Sequence, residues 1–148
     1  MKNLLIASIF LLLISCGKTS DHSQHETGGT VDGESPNKAL YDQVMDIHDE
    51  VMPKMQDLYA LKLELLEKLA QSPNLETYKK EELQRAISDL DSTSNAMMDW
   101  MHNFNPLPDT TNQEAAREYL ETEIESIKKV RALTNETLER AKAIKEKK

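Results

Sequence analysis

The chain predicts an all-α fold, an elongated antiparallel three-helix bundle of coiled-coil character, and three observations carry that prediction. All four glycines lie within residues 17–36, and none follows. Beyond that stretch Ala, Leu, Glu, Lys and Met dominate, a composition that favours helix. Apolar residues recur there every three or four positions, and two proline-containing breaks cut the periodic stretch into three segments. About 110 residues are enough for one core and too few for two domains.

The first helix is expected over residues 37–71. Leu40, Val44, Ile47, Val51, Met55, Leu58, Leu65 and Leu69 form one apolar stripe on a helical wheel. Met45, His48, Met52, Tyr59, Leu63 and Leu66 form a second beside it. A face this wide predicts contact with two neighbours. Pro53 interrupts the segment on the side opposite the first stripe, which predicts a bend with the Asp49 carbonyl left to solvent.

Ser72-Pro73-Asn74 breaks the helix, and Ser72 or Asn74 can cap a second helix over 74–103. Its expected buried stripe is Leu83, Ala86, Ile87, Leu90, Ser94, Met97, Met98, Met101 and Phe104, with Ser94, flanked by Thr93, making one small polar layer. The run Asn105-Pro106-Leu107-Pro108 excludes helix. Thr111 and Glu114 then match a capping box that opens a third helix over 111–146. Ala116, Leu120, Ile124, Ile127, Val130, Leu138, Ala141 and Ile144 give it a continuous stripe, and its last turn is lysine-rich, which suits a helix C-terminus. Helices of this length make a bundle about 50 Å long.

Ahead of the bundle, residues 1–15 have the parts of an export signal. Lys2 supplies a positive charge, and Leu4 to Ile14 form an apolar run broken only by Ala7 and Ser8. A helix of about 11 residues reaches only ~17 Å, short of the ~30 Å hydrocarbon core, so the segment reads as a removable signal. The junction Leu13-Ile14-Ser15-Cys16-Gly17 resembles the lipobox of bacterial lipoproteins, with Ile14 where a small residue is often found. Cys16 is the sole cysteine of the chain. The resemblance implies cleavage before Cys16, acylation of its thiol with diacylglycerol and a palmitate-type chain, and anchoring in a lipid bilayer. The expected address is the cell envelope, with the outer membrane as the first choice of membrane. Residues 17–36 hold few apolar side chains, so they are expected to be a disordered tether, with His22 and His25 solvated in it.

Two segments of the bundle, residues 46–55 (Asp46-Ile47-His48-Asp49-Glu50-Val51-Met52-Pro53-Lys54-Met55) and residues 97–101 (Met97-Met98-Asp99-Trp100-Met101), are similar to a group of small bacterial lipoproteins. These proteins often carry the label "viral A-type inclusion protein". The resemblance implies a helical lipoprotein and brings no activity with it.

Six methionines fall in two short windows, Met45, Met52 and Met55 in the first helix and Met97, Met98 and Met101 in the second. An antiparallel hairpin gathers both windows, with His48 and His102, at the end where the tether enters. Thioethers and imidazoles are soft ligands suited to Cu(I) or silver, and Trp100 can stack over a cation. The same cluster can equally be core filling, since methionine adapts to irregular gaps. It can also be a partner surface formed by Met98, Trp100, Met101 and Phe104.

No phosphate-binding glycine loop, nucleophile elbow or zinc-binding histidine pair occurs in the sequence. A net charge of −8, moving to about −9 once Lys2 is removed, disfavours nucleic acid as a partner. The expectation is a non-enzymatic, membrane-anchored envelope lipoprotein whose bundle is a binding or structural module, without a required cofactor. The alternative is soft-metal binding at the Met/His end. An envelope protein or a second copy of the chain are the expected partners.

Overall fold

A computed structural model describes residues 37–106 and 112–147, and the expectations for the signal, Cys16, the tether and Thr111 lie outside the described residues. Three helices pack on one another: α1 (Lys38–Gln71), α2 (Thr77–Asn103) and α3 (Gln113–Glu146), with no strand among the described residues. With 34 residues, α1 and α3 are each about 51 Å long at the usual rise per residue. The fold is the all-α three-helix bundle expected from the sequence.

Cross-helix pairs give the direction of each neighbour. From α1 to α3 they keep a constant offset: Lys54 bonds Asn135, Arg131 bonds Glu50, and Lys145 pairs with Glu64. These two helices therefore run parallel. From α2 to α3 one number rises as the other falls, through Trp100–Glu123, Thr93–Thr137 and Asp89–Arg140. That is the antiparallel pattern, so the order is up, down, up.

The interior has two apolar cores. Val44, Ile47, Val51, Met97, Trp100, Leu120, Ile124, Ile127 and Val130 form the first. Leu58, Leu61, Leu65, Leu83, Ala86, Leu90, Leu138, Ala141 and Ile144 form the second. A fully enclosed leucine such as Leu58 or Leu65 is worth about 1.5–3 kcal/mol. Every apolar residue expected in the α3 stripe is buried. In α1, Val44, Ile47, Val51, Leu58 and Leu65 are buried as expected, Leu61 joins them, and Leu40, Met55 and Leu69 are half-buried.

Between the cores lies a layer of threonines. Thr93, Thr134 and Thr137 are enclosed, and the Thr93 and Thr137 hydroxyls meet at 3.0 Å. The expected small polar layer of α2 therefore exists, but Thr93 forms it while Ser94 is only half-buried. One residue along a helix turns the side chain by about 100°, and the side facing α3 won. The same rotation corrects the end of the stripe: Met98 is exposed, Ile87, Met101 and Phe104 are half-buried, and Trp100 takes the enclosed place.

Helix starts also differ from expectation. α2 begins at Thr77, behind Glu76, and neither Ser72 nor Asn74 caps it. Leu75 is the reason: it packs against the second core, so the chain stays non-helical until that side chain is placed. At α3 the cap is Asn112, one residue after Thr111; its Oδ1 accepts from the amides of Glu114 and Ala115. Pro53 lies inside α1, exposed, and the helix continues through it.

Both ends of α1 hold α3. The buried Asn37 side chain donates to the backbone oxygen and the side-chain oxygen of Gln113, at 2.9 and 3.0 Å. At the other end the Lys68 ammonium donates to the carbonyls of Ile144, Lys145 and Lys147. These carbonyls have no partner within their own last turn, and the cation completes them.

Three outcomes follow. The Thr134 hydroxyl is buried without a hydrogen-bond partner, so Thr134→Val should raise stability by about 1 kcal/mol in urea denaturation. Thr93→Val strands the Thr137 hydroxyl and should cost about 1–3 kcal/mol. Glu50 is held below the usual carboxylate range by hydrogen bonds from Lys54 and Arg131. A depressed carboxyl adds stability above its unfolded pKa and loses it as pH falls through the lower folded value. The melting temperatures of the native chain and Glu50→Gln should therefore differ near neutral pH and converge in acid.

Candidate functional site

The end of the bundle where α1 begins and α2 finishes concentrates the aromatic and thioether side chains. Trp100 sits at its centre, buried against the first core. Phe104 stacks on Trp100 with centroids 5.0 Å apart, and Tyr119 stacks on Phe104 at 6.2 Å. Tyr41 lies 6.3 Å from Phe104 and the His48 ring 6.1 Å from Trp100, so five rings drawn from all three helices form one cluster. Three of the polar atoms in the cluster have partners. The Trp100 indole donates to Glu123 at 2.9 Å, the Asn105 amide donates to the Tyr119 hydroxyl at 2.8 Å, and His48 Nδ1 is 2.8 Å from an Asp49 oxygen. Burial pushes the Tyr119 hydroxyl above its ordinary pKa, against the lowering effect of the Asn105 bond.

The methionines divide by burial. Met97 is fully enclosed in the first core. Met55 packs against both cores and fills the joint between them. Met52 and Met101 are half-buried on the first core, Met45 is half-buried, and Met98 is 43% exposed. His102 is exposed. The two sequence windows thus do meet on the first core, with Met55 at its inner edge beside the second, and Met97 is the methionine committed to packing. Met45, His48, Met52, Met98 and Met101 remain on or near the surface. Among the described residues no group of three or more His, Cys, Asp or Glu side chains is arranged to hold a metal ion, which leaves thioethers as the donors to weigh.

Of the residues expected to meet a partner, Met98 is exposed and Met101 and Phe104 are half-buried. Trp100 is 7% exposed and belongs to the first core. Sequence reasoning missed Tyr41, Tyr119 and Glu123. The tyrosines sit beside core positions Leu40 and Leu120, and a pairing between Trp100 and a glutamate on another helix leaves no local spacing to detect.

Charge is unevenly shared among the three seams. Glu50–Arg131 and Glu64–Lys145 bridge α1 and α3, while Asp89–Arg140 and Glu82–Lys147 bridge α2 and α3. Between α1 and α2 only Lys62–Asp91 does so among the described residues, at 2.6 Å. Tyr59, Leu63, Leu66, Tyr78 and Met98, five of the six exposed large hydrophobics among the described residues, belong to α1 or α2. An open groove of about 910 Å³ lies at the far end between α2 and α3, over Leu75, Leu83, Ala86 and Ile144. Its basic rim is already engaged: Arg140 pairs with Asp89 and Lys147 with Glu82.

No protein-family model, curated protein or solved structure matches the chain. No described helix is long and apolar enough to cross a membrane.

Adjacent methionines should separate packing from surface. Met97→Ala should cost about 2–5 kcal/mol in urea denaturation, as an enclosed large-to-small change does. Met98→Ala should stay within about 0.5 kcal/mol of the native chain.

Proposed function

We propose that the chain is a bacterial envelope lipoprotein, acylated at Cys16 and anchored to a membrane, whose bundle is a non-catalytic helical binding module. This rests on the junction Leu13-Ile14-Ser15-Cys16 and on the likeness of residues 46–55 and 97–101 to the small helical lipoproteins. The observation that carries the binding role is the thioether surface of α2 beside the ring cluster. Met98 stands exposed one turn from half-buried Met101, which packs on the first core where Trp100 and Phe104 stack. A flexible thioether surface beside a packed core suits an apolar helical partner. Nothing in the cluster places a nucleophile against a base, so its chemistry is contact.

The soft-metal alternative has a narrower footing. His48 shares the surface with Met45 and Met52 and could join them around Cu(I), but its Nδ1 is engaged with Asp49 and only Nε2 is open. Met97 is unavailable without opening the core.

Two measurements test the proposal. Metabolic labelling with an alkyne fatty acid should mark the native chain and not Cys16→Ser, which should also leave the membrane fraction; equal labelling of both overturns the anchor. A photo-crosslinking residue at position 98 should give a discrete protein adduct in the envelope, and the same residue at the exposed Leu133 should not. In parallel, anaerobic Cu(I) titration should show no stoichiometric binding that Met45→Leu, Met52→Leu and Met101→Leu together abolish. Tight one-to-one binding lost in that variant replaces the module reading with metal handling.

A further inference from the structure

The second apolar stripe of α1 has a use that neither core absorbs. Beyond Pro53 it leaves the bundle: Tyr59, Leu63 and Leu66 are 61%, 47% and 39% exposed. Gln56 and Ala70, also exposed, continue the same line. The spacing of Gln56, Tyr59, Leu63, Leu66 and Ala70 is three, four, three and four. That is the alternation of a coiled-coil seam, with Gln56, Leu63 and Ala70 at one repeating position and Tyr59 and Leu66 at the other. None of the five carries a charge, in a chain of which 30% is charged. Solvent-facing helix surface has no need of a heptad, and a seam of this kind is complete only against another helix.

We propose that this seam is the contact between two copies of the chain, with the two α1 helices parallel. The self-complementary charges at the flanks of the seam, Lys62 and Glu67, favour a second copy over an unlike partner. The chain carries −8, so two copies repel wherever their acidic surfaces face each other. The seam is the part of α1 from which charge has been kept away, and like copies can meet there. The flanking residues set the direction. Lys62 lies on one side of the seam and Glu67 on the other, five residues further on. In a parallel pair this spacing brings Lys62 of one copy to the partner's Glu67, in both directions across the two-fold axis. The Lys62 ammonium has three donors and keeps its bond to Asp91 while reaching across. Ala60 on the Glu67 side is small and uncharged, which lets the second helix approach. Gln56 meets the partner's Gln56 at the seam's polar layer, and a slip by one heptad would set it against Leu63. An antiparallel pair sets one seam position against the other, which places Tyr59 against the partner's Leu63, and gives up both lysine–glutamate pairs. This contact lies in the half of α1 away from the aromatic cluster, so it stands or falls independently of the binding role proposed above.

The test uses the full chain carrying Cys16→Ser, in mild detergent, with one introduced cysteine at a time. Leu63→Cys and Leu66→Cys should each give rapid disulfide-linked dimer under mild oxidation. Leu133→Cys, at an equally exposed site on α3, should remain largely monomeric. In sedimentation analysis the parent chain should show a two-chain mass, and Leu63→Lys should show one. The helical circular-dichroism signal of Leu63→Lys should be retained, since the side chain lies outside both cores. A Leu66→Cys yield no higher than that of Leu133→Cys overturns the parallel pairing, as does a Tyr59→Cys and Leu63→Cys mixture that links only to each other. An unchanged mass for Leu63→Lys overturns the interface itself.

Discussion

The axial register of this bundle depends on the threonine layer between its two cores. Apolar layers of leucine, isoleucine and valine are nearly interchangeable, and helices that share only such layers can slide by a heptad at small cost. A hydroxyl pair is less forgiving. Moving α3 by two turns against α2 would part Thr93 from Thr137 and bury both against carbon, a loss of about 1–3 kcal/mol for each stranded group. With that layer fixed, Trp100 comes opposite Glu123 and Asp89 opposite Arg140. The first core and its ring cluster then close at one end and the leucine-rich second core at the other. Thr134 adds an unpaired hydroxyl to the same layer, a local concession within a device that specifies position.

Most of the fold was legible because its signal is periodic. α3 shows this best: eight residues chosen by spacing alone are all buried. What periodicity could not resolve was rotation of about one residue. Thr93 and Ser94 are adjacent and chemically alike, so the polar layer could be located but its member could not. Trp100 and Met101 posed the same difficulty, and the indole won the enclosed place because its N–H finds Glu123 on α3. The start of α2 failed for a different reason. Ser72-Pro73-Asn74 has good capping chemistry, but Leu75 has a core to fill, and tertiary packing overrode the local signal.

The candidate site was legible as a place and less so as a function. Two methionine windows in an antiparallel hairpin must meet, and they do. Their division into filler and surface depends on side-chain direction: Met97 and Met98 differ by one residue and face opposite environments. The part of the ring cluster supplied by Tyr41 and Tyr119 had no pattern to announce it, because each belongs to a different helix and joins the others only after folding. The second stripe of α1 is the opposite case. Its width was plain in the sequence, while only burial shows that its upper part lies beside the first core and its lower part faces outward.

The two clasps between α1 and α3 also determine how the bundle carries load. A pull on the chain ahead of Asn37 enters at the residue whose amide grips Gln113, so α3 is engaged at the same end from the outset. Because α1 and α3 are parallel and joined again at Lys68, force along the axis strains their cross-links together and does not open them one by one. The helix that receives the force is in shear against its neighbour along its whole length. A domain held at Asn37 and pulled from the C-terminal end of α3 loads these cross-links together.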